Sequence, residues 1–130
     1  MLLLALFAVV SAAPAAASPT VRLTILHYVR GCHVWQLNAQ TLGPATTLTV
    51  KRGTRVEIRP SCPMDFDFRQ LSGPKLALGP ARTYAGTTRT IVFAKRGVYK
   101  LGAVNVQSST DRGLVTLGAD NGLTLTVRVT

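Results

Sequence analysis

Between residues 21 and 129 apolar and polar side chains alternate in short runs. Leu123, Leu125, Val127 and Val129 are separated by Thr124, Thr126 and Arg128. A period of two sends one set to a buried face and the other to water, which predicts a half-buried strand. Leu48 and Val50 lead into Lys51-Arg52-Gly53-Thr54, and Val56 and Ile58 follow. Two alternating runs about a glycine-containing turn predict a hairpin. Strands are also expected at 21–26, 33–37, 66–71, 88–93 and 98–101. Gly43-Pro44, Gly73-Pro74, Gly79-Pro80 and Gly97 punctuate the gaps. No stretch after the first seventeen residues carries a helical period. About eight short strands predict an all-β, Greek-key β-sandwich.

The N-terminus has a different character. An apolar run at 2–10 is followed by small residues ending Ala15-Ala16-Ala17, before Ser18-Pro19. This is the pattern of a secretory signal peptide over 1–17, with 18–130 as one mature domain. The run is short for a membrane-spanning helix. No Lys or Arg precedes it, so a retained N-terminal anchor is the alternative. Export implies a secreted, periplasmic or cell-surface protein.

Charge narrows the choice of partners. Lys and Arg number 15 against 5 Asp and Glu, a net charge of +10. Such a surface keeps monomers apart and is drawn to polyanions. The basic residues are scattered along the strands rather than clustered, so no specific nucleic-acid site is expected. Anionic surface polymers, or a protein or envelope partner, suit an exported chain better.

The stretch Phe93-Ala94-Lys95-Arg96-Gly97-Val98-Tyr99-Lys100-Leu101 resembles the strand that leads into the ligand loop of cupredoxins, the plastocyanin and azurin family. Thr47–Ile58 is similar to the family's early strand–turn–strand, and the run 123–129 to its closing strand. The resemblance implies a cupredoxin-like sandwich over nearly the whole mature domain. An immunoglobulin-like sandwich is the rival, but its Cys–Trp–Cys pattern is not met: Trp35 lies three residues after Cys32. The family's copper centre needs a thiolate and two imidazoles with a weak axial group. Ala103 stands at the family's Cys position. Phe66 or a neighbour stands at its first His position, and no Cys, His or Met follows Met64. The resemblance therefore implies a fold without the standard type 1 copper site.

The segment Gly31-Cys32-His33-Val34-Trp35 is similar to an element of secreted bacterial cupredoxin-like proteins. In the family topology its loop and the loop after Ile58 lie at the end that holds copper. The resemblance thus brings Cys32 and His33 near Cys62 and Met64, and two readings follow. In the first, Cys32 and Cys62 form a disulfide, as paired cysteines of exported domains usually do. That bridge contributes roughly 3–4 kcal/mol by constraining the unfolded chain. His33 is then an ordinary polar residue at a strand edge. In the second, Cys32, His33, Cys62 and Met64 are soft or borderline donors for Cu(I). Successive strand residues face opposite ways, so Cys32 and His33 share an ion only from a loop or bulge. His27 is within reach of the same end but reads as a surface histidine.

Asp65 and Asp67 flank Phe66 and are expected as an exposed pair bridged to Arg59 or Arg69. Trp35, Tyr28, Tyr84, Tyr99 and the phenylalanines read as core or edge packing. No Ser–His–Asp spacing, phosphate loop or zinc signature occurs, so no enzyme is expected. The expectation is a non-catalytic binding or structural domain with no cofactor. Its alternative is a copper-binding or electron-transfer protein with a non-standard Cys/His/Met site. N-terminal sequencing of the exported protein is expected to begin Ser-Pro-Thr at Ser18; an intact apolar segment in membrane fractions would refute cleavage there.

Overall fold

A computed structural model describes residues 11–13, 18–27, 33–106 and 122–130. The signal peptide expected at 1–17 lies almost wholly outside the described residues. Ten strands run in the order β1 (Thr20–His27), β2 (His33–Leu37), β3 (Gln40–Gly43), β4 (Ala45–Val50), β5 (Thr54–Pro60), β6 (Asp65–Ser72), β7 (Arg82–Thr83), β8 (Arg89–Phe93), β9 (Gly97–Val106) and β10 (Gly122–Val129). They form two five-stranded sheets, β3-β2-β1-β5-β8 and β4-β10-β9-β6-β7. The sheets are mixed, because β1 and β5 run parallel, as do β10 and β4. The described part is an all-β sandwich of two mixed sheets. The two strands beyond the expected eight are β3 and β7, too short to carry a legible alternation.

The hairpin predicted over 48–58 is corrected by the topology. β4 and β5 are consecutive but lie in different sheets. The turn between them crosses the sandwich instead of folding one sheet on itself. Its amides are shared out accordingly: Arg52 N–H donates to the Thr130 carbonyl beyond β10 at 3.0 Å, and Gly53 N–H donates to the Phe93 carbonyl of β8 at 2.7 Å. Gly53 has φ of 85°, the left-handed region that glycine enters without steric cost. Alternation on both flanks is compatible with a hairpin or with a crossing. Only the partners of these amides separate the two.

The inward faces behave as the alternation requires. Ile25 of β1, Val56 and Ile58 of β5 and Phe93 of β8 share one core with Phe66 of β6 and Leu125 and Val127 of β10, all with 0% exposure. Burial of each such side chain contributes about 1.5–3 kcal/mol. Trp35 is also enclosed, and its indole N–H donates to the Thr124 carbonyl across the sandwich at 3.1 Å. Tyr99 packs edge-on against Phe93, with centroids 5.0 Å apart, and its hydroxyl donates to the Lys95 carbonyl at 2.6 Å. That bond closes the β8–β9 connection. Tyr84, in contrast, is 61% exposed and outside the core.

The connection from β6 to β8 is held from inside. Arg89 is buried, and its guanidinium donates to the Thr83 hydroxyl at 2.6 Å and to the carbonyls of Leu78, Pro80, Ala81 and Arg82. It also lies over the Phe68 ring, 5.1 Å from the centroid. Burial pushes its pKa down from the ordinary guanidinium value, but the planar fork of donors matches the ring of carbonyls around it. Arg89→Met is expected to lose about 2–4 kcal/mol, because several carbonyls lose their donor. Arg89→Lys is expected to recover only part of that, having three donors on a point charge. Urea unfolding measures both; a loss below about 1 kcal/mol for the Met variant would show that the loop is held otherwise.

Candidate functional site

One end of the sandwich gathers the β1–β2 hairpin, the β5–β6 connection and the far end of β9. Ser61 N–H donates to the Ile25 carbonyl at 2.9 Å and so ties the β5–β6 connection to β1. Gly86 N–H donates to the Pro60 carbonyl at 2.9 Å. An open cleft of about 510 Å³ runs between them, lined by Arg59, Pro60, Ser61, Cys62, Pro63, Ala85 and Gly86.

Two positions decide whether a type 1 centre fits here. Ala103 is 1% exposed, and in the ladder it stands opposite Phe68 on one side and Leu123 on the other. β9 continues past it to Val106, paired with β6 as far as Asp65. Phe66 is fully buried and opposite Asn105. The resemblance puts the family's thiolate at Ala103 and its first imidazole at Phe66 or a neighbour, and at these two described residues the side chains are a buried methyl group and a buried phenyl ring. The residues present do not fit a type 1 site.

The candidate donors are arranged as follows. His33 opens β2 and is fully buried, with 0% exposure. This corrects the expectation of an ordinary polar residue at a strand edge: His33 is paired with His27 of β1 and packed against Phe66 of the opposite sheet. Met64 is 2% exposed, and its sulfur accepts from the Asn105 amide Nδ2 at 3.2 Å. Cys62 is 4% exposed and borders the cleft. Cys32 lies outside the described residues, as does Tyr28, so the Cys32–Cys62 pairing falls outside them too. Among the described residues no three His, Cys, Asp or Glu side chains converge as a metal-binding group.

His33 is the anomaly of this end. The buried polar or charged residues described are His33, Thr54, Asp65, Thr83 and Arg89. Thr54 donates to the Lys51 carbonyl at 2.5 Å, and Asp65 accepts from the Ala85 amide at 2.8 Å. Thr83 and Arg89 bond each other. His33 has no hydrogen-bond partner for Nδ1 or Nε2 among the described residues. Its neighbours are aromatic: the Phe66 centroid lies 5.3 Å away, edge-to-face, and that of His27 5.1 Å away. A ring face is a weak acceptor, and an unsatisfied buried polar group costs about 1–3 kcal/mol. Burial, and then the neighbouring His27, hold the His33 pKa below its ordinary value of 6.5.

The carboxylates differ from expectation. Asp65 is buried rather than exposed, and it caps the Ala85 amide. Asp67 pairs with Arg82, not with Arg59 or Arg69: Arg82 Nε donates to Oδ1 at 2.6 Å and an Nη to Oδ2 at 3.1 Å. The cause is β7, which sets Arg82 directly opposite Asp67. This two-point contact lowers the Asp67 pKa from its ordinary value. Two further residues gain a place at this end. Asn105, which nothing in the sequence singles out, reaches Met64. His27, expected as a plain surface histidine, faces His33. Its signal is legible: the two histidines flank the 28–32 connection symmetrically, as antiparallel partners must.

No family model and no curated protein sequence matches this chain. Solved structures are similar to it. A reduced amicyanin, in a variant with one tryptophan changed to tyrosine, shares 15% identity over 88% of this chain and 86% of that one, with a TM-score of 0.47. The McoA multicopper oxidase of the hyperthermophile Aquifex aeolicus shares 11% over 85% of this chain, with a TM-score of 0.48. This chain spans only 26% of that oxidase. The cysteine protease inhibitor EhICP2 from Entamoeba histolytica shares 13% over 89% of this chain and 100% of the inhibitor, with a TM-score of 0.43.

The His33 environment generates a pH prediction. A histidine whose folded pKa lies below 6.5 leaves the unfolded chain binding more protons. Stability is then full above 6.5 and is lost as pH falls from there towards the folded pKa. Chelator-treated protein is expected to show a lower urea midpoint at pH 5 than at pH 7.5. The Asp67–Arg82 pair does not interfere, because its loss begins only near the ordinary carboxylate value of 3.8. Equal midpoints at the two pH values would show that His33 is protonated without cost.

Proposed function

We propose that this chain is an exported, non-catalytic cupredoxin-like domain that acts by binding, its copper end converted to packed core. The observation that carries this reading is the burial of Ala103 and Phe66, where the resemblance puts the family's thiolate and, at Phe66 or a neighbour, its first imidazole. Export is supported by the apolar run and the Ala15-Ala16-Ala17 pattern in the sequence. The partner in this reading is a protein or envelope component at the cell surface or in the periplasm. The net charge of +10 adds weak attraction to anionic polymers, screened beyond about 8 Å at physiological salt. Cys32 and Cys62 are bridged in this reading, the protein is a monomer, and no cofactor is needed.

One observation favours a second reading, a soft-metal site in place of the blue-copper one. It is the buried imidazole of His33, whose nitrogens have no partner among the described residues. His33, Met64 and Cys62, with Cys32, supply nitrogen, thioether and thiolate donors suited to Cu(I). When bound, the ion would supply copper storage or one-electron chemistry. The protein residues hold it away from water, and Asn105 steadies the Met64 sulfur. This reading requires both thiols reduced.

The two readings share one expected outcome and differ in another. Adding Cu(II) to the purified mature protein is expected to give no intense thiolate–copper band in the visible spectrum, since among the described residues no thiolate is grouped with two imidazoles. A strong band would overturn both. Competition with a Cu(I) chelator then separates them. Retention of Cu(I) that is lost in Met64→Ala favours the soft-metal site, and no retention favours the bridged binding domain.

A further inference from the structure

We propose that His27 and His33 together form a two-imidazole seat for a divalent transition-metal ion, such as zinc or Cu(II), at the rim of the β1–β2 hairpin. The two residues are direct antiparallel partners in the ladder. His27 is exposed and His33 is fully buried, and as direct partners they project from the same face of the sheet. Their centroids are 5.1 Å apart, with the planes inclined at 70°. An imidazole nitrogen binds zinc at about 2.0–2.1 Å, which sets the ring centroid about 3.2 Å from the ion; two such rings at a tetrahedral angle have centroids about 5.2 Å apart. The observed separation is the one that a shared ion requires.

The buried member supplies the independent indication. Neither nitrogen of His33 has a hydrogen-bond partner among the described residues, while Thr54, Asp65, Thr83 and Arg89 are all paired. An ion would use one of these nitrogens, and the edge-on contact with Phe66 leaves a ring face to receive the N–H opposite. Two imidazoles are borderline donors, which favour Cu(II), Ni(II) and Zn(II) over hard cations. Asp65 is committed to the Ala85 amide and is not a third ligand. With two protein ligands the ion keeps open positions for water or for a donor on an incoming molecule. The seat is therefore one for exchange, with modest affinity in a protein of net charge +10.

The inference shares His33 with the soft-metal reading, but it does not need Cys62 or Met64, and its test is separate. The full mature chain is titrated with Zn(II) against a chromophoric chelator. One equivalent is expected to bind, and His27→Gln, a change at an exposed position, is expected to weaken it at least tenfold; the urea midpoint of the metal-free variant separates loss of the seat from loss of the fold. The Cu(II) complex is expected to show two imidazole nitrogens by pulsed electron paramagnetic resonance, and one in His27→Gln. Failure of the wild-type chain to bind Zn(II), or unchanged affinity in His27→Gln, overturns the seat. Cu(I) retention in the same samples reports on the soft-metal reading alone. Zn(II) binding without Cu(I) retention upholds the seat and removes that reading, and the reverse result does the opposite.

Discussion

The turn from Lys51 to Gly53 holds the two sheets to one another. Arg52 donates to the Thr130 carbonyl beyond β10, and Gly53 donates to Phe93 at the end of β8. One short segment thus closes hydrogen bonds with both layers. Buried backbone groups must be paired, so a strand that leaves one sheet and enters the other has to satisfy its amides on the way. This crossing also permits the parallel pairings of β5 with β1 and of β4 with β10. From those pairings follow the strand order, the inward faces, and the end at which β1, β5 and β9 deliver their terminal residues.

At that end the alternation that builds the core also shapes the chemistry. Phe66 and Ala103 point inward because their strands alternate, and each completes a packed layer. A phenyl ring against an imidazole edge replaces what a metal centre would need. The polar remnant is His33, enclosed by Phe66 on one side and His27 on the other. Among the described residues the core pairs Thr54, Asp65, Thr83 and Arg89 but leaves this imidazole unsatisfied. Keeping it there has a stability cost, which makes His33 the residue around which any ligand would assemble.

The loop before β8 shows the alternative solution to the same physical problem. Arg89 is a full charge in a buried setting, yet it is surrounded by carbonyls and a hydroxyl and lies on an aromatic face. Polar burial is tolerated when geometry supplies partners. Asp65 follows the same rule with one backbone amide. Asp65 thereby sets the wall of the cleft beside Cys62, through Ala85.

The all-β sandwich and the inward positions of β10 were legible in the residues themselves, because alternation is a local property. The sheet to which β5 belongs was not legible, because a glycine turn between alternating runs serves a hairpin and a crossing equally well. Nor were the partner of Asp67, which depends on the short strand β7, and the enclosure of His33, which depends on Phe66 from the other sheet. The pairing of His27 with His33 lay in between: its symmetry about the connection was written in the sequence, but its meaning depended on burial. Which polar side chains are stranded away from water is set by everything packed around them, and only the tertiary structure decided that.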